Sequence, residues 1–248
     1  MFMCSLFFTL VISFIPIVDN FSKNETNISY ITLRIKDTGL KSVFNGILYP
    51  DCFPLFPKPN EVYINNIKQD EVKIRYNFNE TNNEIILIWN ETVTNCNCLF
   101  LGCKDIYDIN FSNFDTSEVT TMFAMFYECY GLKSLDLSHF DSSKVGNMSW
   151  MFVRCESLIS LNLSGFNTSQ VKSMASFFDT CLTLKTLDLS HFDTSKVDNM
   201  HWMFVRCESL ISLNLSSFNT SQVKNMVAMF SSCSSLELLD ISHFNTSE

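Results

Sequence analysis

Ten cysteines and four histidines are the residues best equipped for chemistry in this chain, and their spacing argues against most of it. Cys103, Cys129, Cys155, Cys181, Cys207 and Cys233 follow one another at intervals of 26 residues. Zinc sites draw on closely paired ligands such as C-x-x-C, whereas this spacing offers one sulfur per interval. Disulfides within the column would need adjacent copies to stack tightly. The column therefore reads as buried free thiols acting as small apolar side chains. Cys52, Cys96 and Cys98 stand apart from it, and a disulfide from Cys52 to Cys96 or Cys98 is expected in an oxidising compartment.

His139, His191 and His243 recur every 52 residues, close to Asp136, Asp188 and Asp240. Copies separated by a full intervening unit lie roughly 10 Å apart, too far to share one metal ion. They read as solvated repeat positions. Trp150 and Trp202 occupy equivalent sites, four residues before Arg154 and Arg206, where an aromatic ring more often covers a surface than binds a ligand. G-x-S-x-G, Walker and H-E-x-x-H motifs are absent, as is a glycine-rich phosphate loop. No catalytic residue, metal ligand or cofactor is expected.

The elements that would position these side chains are set by the same interval. Phe114, Phe140, Phe166, Phe192, Phe218 and Phe244 are 26 residues apart, as are Phe100, Phe126, Phe152, Phe178, Phe204 and Phe230. A column of valines, Val93 to Val223, keeps the period too. Within each unit, L-x-x-L-x-L-x-x-F (Leu132, Leu135, Leu137, Phe140) alternates as a short half-buried strand does. Val119, Met122, Met125, Phe126 and Cys129 step by three and four, which predicts a helix of about three turns, with Asp115, Thr116 and Ser117 as N-cap residues. One such unit cannot bury its apolar face alone and must stack on its neighbours. The fold class expected is α/β: a leucine-rich-repeat-like solenoid with one short parallel strand and one short helix per coil, and a phenylalanine ladder between the layers.

Residues 137–174 and 189–226 are nearly identical, so a 52-residue period overlies the 26-residue one. It alternates Asp136, Asn162, Asp188, Asn214 and Asp240 on the strand face. Interleaved Asn would keep like charges off adjacent strands, although simple duplication of a two-unit block explains the pattern equally well.

Degraded repeat columns begin near Ile88 and run through Val93, Cys96, Leu99, Phe100, Cys103, Ile106, Ile109, Phe111 and Phe114. Upstream, 30–36, 61–65, 71–78 and 84–89 read as strands, with turns at 37–39 and 80–83 and a loop from Pro50 to Pro59. Residues 30–90 are expected to form a β-rich N-terminal cap, and 91–248 the repeat array. Met1 to Val18 are apolar, so 1–19 read as a signal peptide or an N-terminal anchor, with a buried helix as a third reading. The array is expected to be truncated at Glu248, where the next helix would open. N-x-S/T sequons begin at twelve positions from Asn20 to Asn245, consistent with a glycoprotein in a eukaryotic host. A net charge of −9, with no run of Lys or Arg longer than two, argues against nucleic acid.

The string from Phe192 to Val223, FDTSKVDNMHWMFVRCESLISLNLSSFNTSQV, resembles the BspA-type leucine-rich repeats of bacterial and protist surface proteins. The pattern F-[DN]-T-S-x-V-x-x-M-x-x-M-F-x-x-C-x-x-L-x-x-L-[DN]-L-S covers about two-thirds of the chain. The resemblance implies a secreted or cell-surface protein used in adhesion or partner contact, and it carries over no catalytic residue. The expected binding face is the strand face: Ser134, Asp136, Ser138, His139, Ser160, Asn162, Ser164, Thr186, Asp188, Ser190, His191 and Asn214. Its partner would be a protein or a glycan, with membrane contact only through the N-terminal anchor or a missing C-terminal segment. A structural spacer or coat array and an intracellular interaction scaffold are the alternatives.

Overall fold

The computed structural model describes residues 28–45, 52 and 56–245. The apolar N-terminal segment, the sequons at Asn20, Asn24 and Asn27, and much of the expected Pro50–Pro59 loop lie outside these residues.

The cap is antiparallel. β1 (Ser29–Lys36) alternates buried and outward residues, and pairs with β6 (Asn82–Trp89) from Ser29↔Trp89 to Lys36↔Asn82. With β3 (Glu61–Ile64), β4 (Ile67–Lys68) and β7 (Ile106–Asn113) they form a five-stranded sheet in the order β4-β3-β6-β1-β7. β2 (Gly39–Ser42) and β5 (Arg75–Phe78) form a separate pair. Three expectations change here. Only the second half of 71–78 is strand, Asn82 and Asn83 already belong to β6, and Gly39 opens β2 rather than closing a turn.

β7 joins the cap to the array. It falls one interval before β8 (Ser134–Asp136), so it is the first unit's strand, lengthened and recruited by β1. The degraded columns Ile106, Ile109 and Phe111 are thus cap sheet and repeat at once. Gly131 passes so close to the start of β7 that an added Cβ would lie 2.7 Å from the carbonyl oxygens of Lys104 and Ile106.

The α/β solenoid with one helix per coil is overturned: the described residues contain no α-helix, and short strands in small sheets with turns between them. The reason lies in the backbone of residues 122–129 and their equivalents. Ala124, Trp150, Ser176, Trp202 and Ala228 have φ between 52° and 63°, and Glu128, Arg154, Thr180, Arg206 and Ser232 between 56° and 61°. A left-handed residue every fourth position interrupts any right-handed helix. Alternate N–H groups then turn out of the unit. Met122, Ala124, Phe126 and Glu128 donate to the carbonyls of Asn147, Ser149, Met151 and Val153 in the next unit, at 2.8–3.0 Å. The intervening N–H groups close local turns, as Met125 does on Met122 (3.3 Å) and Cys129 on Phe126 (3.1 Å). Linked turns bury residues at steps of three and four just as a helix would, so the periodicity could not separate the two. A left-handed non-glycine residue costs about 1–2 kcal/mol. Four inter-unit hydrogen bonds, each worth about 0.5–1.5 kcal/mol net, together with core packing, offset two such residues per unit.

The expected N-cap residues work differently as well. Asp115 accepts the N–H of Ser117 (2.9 Å), a turn repeated by Asp141, Asn167, Asp193 and Asn219 with the serine two residues on. Thr116, Ser142, Thr168, Thr194 and Thr220 are buried and bond to the backbone of the following unit. Ser29 of β1 supplies the hydroxyl that accepts from Asp115 N–H (2.9 Å), so the cap fills the same column.

Two phenylalanine ladders run through the core. Phe100, Phe126, Phe152, Phe178, Phe204 and Phe230 stack at 5.5–5.8 Å within 14° of parallel. Phe140, Phe166 and Phe192 form the second at 6.2–6.5 Å. Among the described residues no helix is long and apolar enough to cross a membrane.

Candidate binding face

Each repeat strand has three residues with the middle one inward, so two of every three side chains face outward. β8 pairs in parallel with β9 (Ser160–Asn162), setting Ser134 beside Ser160 and Asp136 beside Asn162. β10 (Thr186–Asp188) pairs with β11 (Ser212–Asn214), setting Thr186 beside Ser212 and Asp188 beside Asn214. β9 and β10 belong to different sheets. Among the named strands, β8 couples with β9 and β10 with β11, each Asp-bearing strand with the Asn-bearing strand that follows it, and beyond β11 a single bridge joins Ser212 to Leu238 of the next unit.

The carboxylates are held rather than free. Asp136 accepts the N–H of Ser138 (2.9 Å) and Asp188 that of Ser190 (3.0 Å), while Asn162 and Asn214 close the same turn on Ser164 and Ser216. These backbone bonds keep the Asp136 and Asp188 carboxyls below their ordinary value, and the neighbouring Asn162 and Asn214 amides act in the same direction. The Ser143 and Ser195 hydroxyls and N–H groups do likewise for Asp141 and Asp193.

Of the expected face residues, Ser134, Asp136, His139, Ser160, Asn162, Ser164, Thr186, Asp188, His191 and Asn214 are exposed, whereas Ser138 and Ser190 are half-buried in the turn. The histidines differ. His191 Nε2 meets the carbonyl of Leu163 (2.9 Å), and His243 that of Leu215 (3.0 Å). His139 instead touches the Ser138 hydroxyl through Nδ1 (3.3 Å) and lines a recess of about 300 Å³ with Asp108, Asn110, Ser112 and Asp136, where β7 meets β8. Among the described residues no three His, Cys, Asp or Glu side chains converge as a metal site requires.

Ile159 and Ile211, 58% and 41% exposed, belong to this face and were not anticipated. They sit just before β9 and β11, in a column shared with Lys133 and Lys185. Lys alternating with Ile marks a solvent position, and that signal was legible in the sequence.

Cys52 and Cys98 form a disulfide, with Cα atoms 5.9 Å apart, that ties residue 52 to the first unit. Cys96 and the column from Cys103 to Cys233 are thiols outside any disulfide. Each from Cys129 onward donates its S–H to a phenylalanine carbonyl of the preceding unit, at 3.1–3.3 Å. Burial pushes these thiols up, Cys155 to about 12. Since the thiolate is the reactive form, the buried thiols should resist alkylation by iodoacetamide at pH 8 in the native protein. Cys233, half-buried, should label first. Mass spectrometry of the labelled peptides reads this, and labelling of Cys155 as fast as Cys233 would contradict it.

The Asp pattern sets an acid limb. A carboxyl whose folded value is lowered stabilises the fold fully above its ordinary value near 3.8 and loses that contribution as pH falls through the folded value. Asn already makes the same turn at Asn162 and Asn167. Replacing Asp136, Asp141, Asp188 and Asp193 with Asn should therefore preserve the fold and flatten the fall in melting temperature between about pH 5 and 2. An unchanged acid limb would show that other groups set it.

A family model described as "Mycoplasma protein of unknown function, DUF285" matches residues 72–187 and again 174–248. No curated protein and no solved structure matches the chain.

Proposed function

We propose that this chain, which belongs to the DUF285 family of mycoplasma proteins of unknown function, is a non-catalytic recognition module of the cell surface or secreted space that binds a protein or glycan through its strand face. The carrying observation is that face itself: outward Ser, Thr, Asp and Asn at fixed register, flanked by exposed Ile159 and Ile211. The thiols and phenylalanines are spent on the core, and the strand face is a repeated polar surface flanked by exposed apolar side chains. Weak contacts repeated at each unit add through effective concentration, so an extended partner gains avidity that a single unit could not supply. The resemblance to BspA-type surface repeats supports the same reading.

The test is binding of purified protein to a glycan array and to immobilised matrix proteins. A variant carrying Ser134→Lys, Thr186→Lys, Ile159→Asp and Ile211→Asp changes only exposed positions and leaves the turn bonds of Asp136 and Asp188 in place. Loss of binding with an unchanged melting temperature is the expected result. Binding that survives in this variant would remove the strand face as the site.

A further inference from the structure

We propose that the recess between β7 and β8 is a subsite for one neutral sugar ring, which anchors a glycan lying along the strand face; the longer glycan rests on the reading above, the subsite does not. Successive strands β7 and β8, and again β9 and β10, belong to different sheets, so a seam separates each of these pairs. At the β9–β10 seam a histidine crosses the gap, His191 Nε2 meeting the carbonyl of Leu163 at 2.9 Å. His243 Nε2 does the same to Leu215, at 3.0 Å, in the unit after β11. The first seam lacks this bond. His139 turns Nδ1 to the Ser138 hydroxyl (3.3 Å), and the carbonyl in the Leu163 column, that of Phe111, accepts the N–H of Phe114 (2.9 Å) and no imidazole. The cause lies in the cap. β1 holds β7, and their register shifts between Tyr30↔Asn113 and Thr32↔Asn110, opposite Phe111. Irregularities of this kind re-aim a strand locally. The recess of about 300 Å³ opens where the histidine bond is missing.

Its lining mixes donors and acceptors over an apolar base of buried Ile109 and Phe111. Asp108 is paired with Arg34 (3.3 Å), and Asp136 accepts the Ser138 N–H, so neither carboxylate stands as a bare charge. Asn110 Oδ1 takes both the N–H and the hydroxyl of Ser112 (2.9 and 2.7 Å), which leaves its Nδ2 as a donor without a partner among the described residues. His139 Nε2 is likewise without one. A sugar hydroxyl both donates and accepts, so it can serve a carboxylate, the Asn110 amide and the imidazole in either tautomer. An ammonium group only donates and leaves Asn110 unmet. An acidic group would face Asp108 and Asp136, with like charges opposed. Ligand recesses run from about 300 to 1,000 Å³, so this one suits a single ring. It also occurs once, at the cap end. A repeated polar face lets a polymer slide by whole units, whereas one unlike subsite fixes its register.

Histidine ring signals in proton–carbon NMR of the intact chain read the subsite directly. The probes are the methyl glycosides of glucose, galactose, mannose and N-acetylglucosamine at millimolar concentration, with methyl glucuronide and butylamine as the charged counterparts. At least one neutral glycoside should shift the His139 signal saturably and leave that of His191 in place, and neither charged probe should. His139→Ala should weaken that glycoside about tenfold or more, as loss of a hydrogen-bonding partner does, while His191→Ala should not. A free glycoside is too short to span several units, so the result is independent of the wider face. Thr186→Lys with Ile211→Asp, two units away, should accordingly leave the His139 shift unchanged even where it abolishes binding of long glycans. No shift with any neutral glycoside would overturn the proposal, as would binding that persists in His139→Ala or is lost in the distant variant. A shift caused by butylamine alone would replace the sugar with a cationic side chain and overturn it too.

Discussion

Phe152→Ala should destabilise the array by about 3–5 kcal/mol, the range for emptying a fully buried aromatic site. Phe152 is 0% exposed, stacks on Phe126 at 5.5 Å and on Phe178 at 5.6 Å, and meets Phe177 edge-on at 5.4 Å. Both neighbours in the ladder lose a face together, and the stacked units above and below cannot collapse into the hole without breaking their inter-unit bonds. Phe230 occupies the same column but is half-buried, and among the described residues its ring neighbour is Phe204, on one side. Its replacement by alanine should cost clearly less, about 1–2 kcal/mol. Denaturant unfolding of both variants decides the matter. Equal losses would mean that the ladder is not what holds the middle of the array.

Thr194→Val should cost about 2–4 kcal/mol while changing the side-chain volume very little. The Thr194 hydroxyl donates to the carbonyl of Asn219 (3.0 Å) and accepts its N–H (2.8 Å), at 0% exposure. Valine leaves both backbone groups without a partner, each at about 1–3 kcal/mol for a buried polar group. Thr194→Ser should be nearly neutral, because Ser142 makes the same two bonds to Asn167 at 3.0 and 2.8 Å. A valine variant as stable as the serine variant would show that water reaches these groups. The threonine of the repeat signature is on this reading a cross-link between units.

The sequence made the period, the ladders and the outward strand positions legible, because burial and exposure repeat in columns that need no knowledge of the backbone. The helix was misread for a physical reason. Val119, Met122, Met125, Phe126 and Cys129 fit one helical stripe, but the same steps fit a chain of turns with a left-handed residue at every fourth position. Residue type gave little warning, since those positions hold Ala, Trp, Ser, Glu, Arg and Thr, with glycine only at Gly102. The scarcity of alanine and of other strong helix formers in the units was the available clue. On the candidate face, Ser134 and Asp136 were placed by alternation, whereas Ile159 and Ile211 were missed because isoleucine beside a strand is easily taken for core.

The coupling of strands in twos bears on how such a chain can change length. Segments 137–174 and 189–226 differ at five positions, so misaligned recombination between their coding sequences would lengthen or shorten the array. Loss of the unit that carries Asn162 would bring Asp136 beside Asp188, two charges on adjacent strands, and would remove the amide that Asp136 now faces. Loss or gain of two units leaves every Asp strand followed by an Asn strand. Length variants that persist should therefore differ by even numbers of units, which makes the inherited module a pair.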